Sequence, residues 1–252
     1  MGPLPQCYGI IPARYRSKRF PGKPLAEIHG KPMFWHVYKQ AEKCRHFSRI
    51  VLATDDERIF SAAKALLVPV LMTDANHPSG TDRVLEAANA LDVPDDAVVV
   101  NIQGDEPLLS VDMLDRLIAP FSASEIQITT LAKKIGGKEA DNPDRVKVVI
   151  AENGQALYFS RSKIPYYRGD AAQTFYGHIG LYAFRMAALR AFQRLGPGRL
   201  ERIESLEQLR LLENKMAIHV IITDHASIGV DTPDDLKTVT RMMNQTMNQI
   251  IK

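Results

Sequence analysis

The 252-residue sequence predicts an α/β fold in which a mostly parallel, twisted sheet is flanked by helices and carries a smaller, partly antiparallel lobe. Three observations predict it. Short apolar runs alternate with helical periodicities up to about residue 125, the rhythm of strand, crossover helix and parallel strand. The runs are apolar throughout, as strands covered on both faces must be. Beyond that point strand-like runs follow one another with turns between them, the pattern of antiparallel pairing.

The first strand is 8–12, Tyr-Gly-Ile-Ile-Pro, and it stops where a basic loop begins. Residues 33–43 have helical spacing. A strand at 50–54 is followed by Asp55, Asp56 and Glu57, acids suited to the first turn of a helix. A strand at 68–72, a helix at 82–91 and a continuous apolar strand at 97–102 complete the repeat. In the middle stretch, 126–131, 146–150 and 156–159 read as strands, with a turn at Glu152, Asn153 and Gly154. Residues 205–213 read as a helix, 218–223 as a strand, and 234–250 as a closing helix introduced by Thr232 and Pro233. The expected organisation is one domain over 1–252, with about 140–198 as an embedded lobe.

Composition narrows the function classes. With 45% apolar and 24% charged residues the chain is an ordinary globular sequence. No apolar run approaches the roughly 20 residues that span a bilayer, and the start lacks a signal-peptide pattern, so no membrane insertion and a cytoplasmic location are expected. Cys7 and Cys44 have neither disulfide-framework nor zinc-site spacing and are expected as reduced packing residues. The formal charge is only +3, yet Arg14, Arg16, Lys18, Arg19, Lys23 and Lys31 crowd together. Pro12, Pro21, Gly22 and Pro24 break that run into a shaped loop, unlike the basic face of a nucleic-acid binder. No Gly-x-Gly-x-x-Gly follows the first strand, which argues against a dinucleotide-dependent dehydrogenase.

Three motifs carry chemistry. The segment 11–25, IPARYRSKRFPGKPL, places cations and free amides directly after a strand, an arrangement suited to a triphosphate. Gly22-Lys23 leads into Pro24 and not into Ser or Thr, so this is no Walker loop; charge alone would also fit a solvated basic turn. At the end of a buried strand stands Asn101-Ile102-Gln103-Gly104-Asp105-Glu106-Pro107, where Asp105 could share a Mg²⁺ with phosphate oxygens or simply cap the turn before Pro107. Asp231, in Gly229-Val230-Asp231-Thr232-Pro233, is a second candidate metal ligand or an ordinary helix N-cap.

In order and context these motifs resemble the 3-deoxy-manno-octulosonate (Kdo) cytidylyltransferase family across roughly 8–243. Further strings carry the resemblance: Ala53-Thr54-Asp55-Asp56, His77-Pro78-Ser79-Gly80-Thr81-Asp82-Arg83, Ala156-Leu157-Tyr158-Phe159-Ser160-Arg161, His178-Ile179-Gly180-Leu181-Tyr182 and Leu206-Glu207-Gln208-Leu209-Arg210. The resemblance implies a Rossmann-like nucleotidyltransferase fold of the glycosyltransferase-A type, a homodimer contacting through 140–198, and transfer of CMP from CTP to Kdo for lipopolysaccharide synthesis, with Mg²⁺ as cofactor. It assigns Asp105, Asp231, Lys23 and Arg14 to catalysis, and Asp105 and Asp231 to the metal. Pro12, Ala13, Arg14, Arg19, Lys23, Ser79, Gly80 and Arg83 would bind CTP. Gln103, Arg161, His178, Tyr182, Glu207 and Gln208 would surround the sugar acid, Arg161 facing its carboxylate.

Two departures stand on the sugar side. Gly177 occupies the place where relatives commonly carry a basic residue before the histidine. After 206–210 the usual glycine turn is replaced, with Asn214 expected to take the left-handed position. The acceptor could therefore be Kdo, its 8-amino analogue or another acidic sugar such as a sialic acid; a silent nucleotide-sugar sensor is the reading outside catalysis.

Overall fold

The computed structural model describes residues 2–17, 19–168, 173–225 and 228–250. Lys18 of the basic loop and 169–172 of the expected lobe lie outside them.

β1 (Cys7–Ala13) is almost wholly buried. After a turn of 3₁₀ helix at Lys23–Leu25 come a small hairpin, β2 (Glu27–Ile28) and β3 (Lys31–Pro32), and α1 (Met33–Ala41). α1 buries Met33, Phe34, Val37 and Ala41, spacings that fall on one helical face. Next are β4 (Phe47–Thr54), α2 (Glu57–Ala65), β5 (Val70–Met72), α3 (Gly80–Ala90), β6 (Val98–Asn101) and α4 (Val111–Ile118). Asp56 caps α2 by accepting from the Arg58 amide at 3.0 Å, as the acidic run predicts. The chain continues through β7 (Ile128–Ile135), α5 (Gly137–Ala140), β8 (Lys147–Ile150), β9 (Ala156–Ser160), β10 (Phe175–Arg185), α6 (Met186–Arg194), α7 (Arg199–Glu204), α8 (Leu209–Glu213), β11 (His219–Ile222) and α9 (Pro233–Ile250). The α/β class with a mostly parallel central sheet flanked by helices is the one expected. Cys7 and Cys44 are buried and not joined in a disulfide.

These elements divide into two units. The first comprises Gln6–Pro94, Val99–Leu114 and Ser227–Lys252. Its strands lie in the order β6, β1, β4, β5, with β1 and β4 parallel from Gly9 opposite Ile50 to Ala13 opposite Thr54, and β4 parallel to β5. The strands thus end together, which brings their following loops to one edge. Ile28, Met33, Val230 and Val239 form a core patch that fixes α9 against the hairpin and α1.

The second unit comprises Met1–Pro5, Asp95–Val98 and Asp115–Ala226. Here β10 runs antiparallel to β7 and β8, β8 antiparallel to β9, and β11 parallel to β7. The register of β10 against β7 shifts between Ile179 and Tyr182, a bulge that re-aims side chains.

Two sequence expectations change. The helix expected over 205–213 does not exist as one element: Ser205 adopts φ 52° and ends α7, and a helix resumes only at Leu209. The left-handed position expected at Asn214 falls one residue later, on Lys215 at φ 59°, while Asn214 donates its amide to the Arg210 carbonyl at 2.8 Å.

Candidate active site

Within the first unit the loop after β1, the segment before α3, the turn after β6 and the residue before the α9 cap surround a cavity of ≈ 500 Å³. It is lined by Pro12, Ala13, Arg14, Arg19, Lys23, Ser79, Gly80, Arg83, Gln103, Asp105 and Asp231, which includes every residue assigned to CTP or metal from the sequence. Arg16, Ser17, Pro24, His77 and Gly104 line it too. None of these five carries an assignment to CTP, sugar or metal from the sequence, although all stand inside the motif strings, Arg16 and Pro24 as named members of the basic loop. Five cationic side chains, Arg14, Arg16, Arg19, Lys23 and Arg83, face two carboxylates there. The excess of positive charge suits an anion.

The shape of the basic loop follows from a few contacts. The Tyr15 carbonyl accepts from the amides of Ser17 (3.0 Å) and Gly22 (2.9 Å), folding the loop back on itself. That fold needs φ 73° at Gly22, where an added Cβ would meet the Tyr15 ring at 2.9 Å. The Arg58 guanidinium lies 3.3 Å from the centroid of the same ring and is held by both oxygens of Asp56. At the other strand tip Gly104 presses against β1: a Cβ there would stand 2.7 Å from the Pro12 carbonyl oxygen. Only a residue without a side chain lets the Gln103-Gly104-Asp105 turn lie flat on the end of the first strand.

Lys23 then gathers the carboxylates. Its Nζ donates to Asp105, to Asp231 Oδ1 at 3.2 Å and to the Val230 carbonyl at 3.2 Å, while the Val230 amide donates to the Asp105 carbonyl at 2.8 Å. Arg19 donates to the other oxygen of Asp231 at 2.8 Å. Asp231 is not the N-cap of α9. Thr232 is: its hydroxyl accepts from the Asp235 amide at 3.2 Å, and Asp235 accepts from the Thr232 amide at 2.8 Å, a reciprocal capping box. The Asp231 carboxylate is thereby left to the cavity.

Ser79 caps α3, accepting from the Asp82 amide at 3.2 Å and donating to its carboxylate at 2.8 Å. Arg83 is 3% exposed and tied to Asp55 at 3.0 Å and to the Thr73 hydroxyl, so its main task is to hold β4 and β5 to α3 beneath the cavity. His77 pairs with Glu86, which also accepts the Asp74 amide at 2.9 Å.

The remaining sugar-side candidates belong to the second unit. His178 and Tyr182 stand on β10 with ring centroids 5.4 Å apart, and Phe159 meets His178 edge-on at 5.0 Å. Burial pushes His178 down to about 3, so the imidazole is neutral at any physiological pH. The Tyr182 phenol is raised well above its usual range, first by burial and then by the charge of Glu207, with the Thr130 hydroxyl acting the other way. No group among the described residues meets the Tyr182 hydroxyl with hydrogen-bond geometry. Gln208 is buried at the head of α8. Arg161 is committed to main-chain carbonyls, Nε to Glu204 at 2.8 Å and its two terminal nitrogens to Pro143 at 3.2 Å and Ser205 at 3.4 Å. Its fork therefore braces the Ser205 reversal that precedes Glu207 and Gln208. At Gly177 a Cβ would lie 3.1 Å from Ile135 Cγ2, so a larger residue requires Ile135 to yield.

The donor set fits a hard divalent cation. Asp105 and Asp231 both reach one ammonium, so one cation can engage both, and both offer only oxygen. No cluster of three or more His, Cys, Asp or Glu able to hold a metal exists among the described residues. Magnesium is commonly bound by one or two carboxylates, with phosphates and water completing its octahedron. No helix among the described residues is long and apolar enough to cross a membrane.

A family model described as cytidylyltransferase matches residues 8–218. The chain is 59% identical over 244 residues to the 3-deoxy-manno-octulosonate cytidylyltransferase of Nitratidesulfovibrio vulgaris strain Hildenborough, covering 95% of this chain and 96% of that one. It is 52% identical to the protein of that name from Lawsonia intracellularis, with 98% and 97% covered. A solved structure of CMP:2-keto-3-deoxy-manno-octonic acid synthetase complexed with CTP matches with TM-score 0.91 at 38% identity, over 96% of this chain and 99% of that one. A cytidylyltransferase from Leptospira borgpetersenii shares the fold, with TM-score 0.62 at 17% identity, over 94% and 85%.

Proposed function

The chain belongs to the 3-deoxy-manno-octulosonate cytidylyltransferase family, and from that premise we propose that it transfers CMP from CTP to the anomeric C2 hydroxyl of Kdo, releasing pyrophosphate. It is a nucleotidyltransferase. The observation that carries the reading is the single ammonium of Lys23 shared by Asp105 and Asp231 beside an arginine-lined cavity.

The transfer requires the sugar oxygen and the departing pyrophosphate to lie in line across the α-phosphorus, so positioning and charge neutralisation supply most of the acceleration. Arg14, Arg19 and Lys23 neutralise the triphosphate. Ser79 and Gly80 carry the N-terminus of α3 to the cavity, where main-chain groups cradle the cytosine and a pyrimidine-sized space rejects purines. Asp105 and Asp231 hold Mg²⁺, which supplies charge neutralisation for the phosphates and acidity for the attacking hydroxyl when bound. Gln103, Tyr182, His178, Glu207 and Gln208 orient the sugar acid, with Arg161 shaping the turn ahead of the last two. We further infer a cytoplasmic homodimer, contacting through 140–198, that supplies activated Kdo for lipopolysaccharide synthesis.

A pyrophosphate-release assay tests the reading. CTP, UTP and ATP are each paired with Kdo, its 8-amino analogue and N-acetylneuraminate, with and without Mg²⁺. Release is expected from CTP and Kdo with Mg²⁺. No release from that combination would overturn the proposal, and preference for the amino analogue would trace acceptor choice to the side on which Gly177 stands.

A further inference from the structure

The hydroxyl of Thr130, on β7, meets His178 Nε2 at 2.9 Å, the Leu181 carbonyl oxygen at 2.8 Å and the Ile179 carbonyl oxygen at 3.3 Å, with the Tyr182 phenol close enough to feel it. They meet there because β10 shifts register against β7 between Ile179 and Tyr182. A hydroxyl has one proton to give, and a carbonyl oxygen can only accept. If the Thr130 proton went to the imidazole, the Thr130 and Leu181 oxygens would oppose lone pairs at 2.8 Å. The proton therefore goes to Leu181, and His178 Nε2 must bring its own. A neutral imidazole carries a single N–H, so Nδ1 is bare. Desolvation of the ring disfavours a second proton. The edge-on Phe159 ring at 5.0 Å restricts the imidazole plane, and no hydrogen bond to Nδ1 forms among the described residues.

We propose that Thr130 is a positioning residue: its hydroxyl locks His178 in the Nε2-protonated tautomer and so presents Nδ1 as a hydrogen-bond acceptor to a hydroxyl of the acceptor sugar. This rests on the reading that His178 faces the sugar acid. It adds a rule of recognition. With Nδ1 accepting, the group it binds must be a donor, which admits a hydroxyl and turns away an ether, a deoxy position or the sugar's own carboxylate.

The experiment is nitrogen-15 NMR of protein labelled at histidine, the His178 signals being assigned by their absence in His178→Gln. The parent is expected to show a protonated Nε2 and an unprotonated Nδ1 without any ligand, and Thr130→Ser to keep that pattern. Thr130→Val is expected to lose it and to raise the KM for Kdo about three- to ten-fold, the worth of one neutral hydrogen bond, with the KM for CTP unchanged and Thr130→Ser restoring the parent value. A parent ring protonated at Nδ1 would overturn the lock, and this is read on the parent even if Thr130→Val does not fold. A protonated Nε2 together with an unaltered KM for Kdo in a folded Thr130→Val would overturn its role in recognition. Because the tautomer is measured without substrate, failure of the lock is distinct from failure of the chain to use Kdo at all.

Discussion

Lys23 and Asp231 stand 208 positions apart in the chain, and their side chains meet at 3.2 Å. The contact joins the loop after the first strand to the residue ahead of the last helix, and Asp105 completes it from the tip of β6. Charge at this junction is shared: the side chain of Lys23 is 15% exposed and cannot leave one carboxylate without disturbing the other.

Asp105→Ala should lower kcat about 100-fold or more while the protein keeps its circular dichroism and melts close to the parent. Its carboxylate lies at the cavity and not in a packed core. Pyrophosphate release at saturating Mg²⁺ measures the first outcome and a thermal scan the second. Near-normal kcat would remove Asp105 from the chemistry.

Lys23→Ala should reduce kcat/KM for CTP by about 100-fold, the scale at which preorganised charges act on a developing anion, and should leave the KM for the sugar near its parent value. Steady-state kinetics with each substrate varied in turn check the split. Equal losses for both substrates would contradict a role confined to the phosphates.

Gly104→Ala places a methyl group 2.7 Å from a main-chain oxygen that cannot rotate away. The expected cost is about 1 to 3 kcal/mol in urea unfolding. The KM for CTP should rise, because Asp105 and Pro12 are displaced together. Unchanged stability would mean that the β6 turn has slack that its geometry does not suggest.

Glu201 supplies a test in pH. Burial alone would raise its carboxyl, but two bonds from Arg210, at 2.8 and 2.5 Å, and the Gly198 amide at 2.9 Å outweigh that and hold it below 4.5. A depressed carboxyl contributes stability that is fully present above the unfolded value and is lost as pH falls through the folded one. The stability gap between the parent and Glu201→Gln should therefore be largest near neutrality and close as the pH falls through and below the ordinary glutamate range. Denaturant unfolding at several pH values checks this, and a gap that widens on acidification would reverse the assignment.

Much of the first unit was legible because its signals are local. Apolar runs that halt at Arg14 or at Gln103 announce strands ending in loops, and the cation-rich loop and Asp105 occupy positions the alternation makes spatially adjacent. The two readings of Asp231 could not be resolved from sequence, since Asp231 and Thr232 are adjacent and either side chain could cap the helix; the structure gives the cap to Thr232. Less was legible in the second unit. β10 alternates buried and half-buried residues through two glycines, so its sequence lacks the apolar run that marks a central strand. The break at Ser205 depends on a left-handed residue that is neither Gly nor Asn, and the carbonyls held by Arg161 lie at Pro143, Glu204 and Ser205. Thr130 gains its meaning from a histidine 48 residues away and from a bulge, neither of which a local pattern encodes.

The capping box of α9 carries a last consequence. Since Thr232 and Asp235 start that helix by themselves, the side chain at position 231 is released from capping it. Chemistry there can drift, or be redesigned toward other ions and other nucleotides, without unravelling the terminal segment, whereas the same freedom is denied to the threonine beside it.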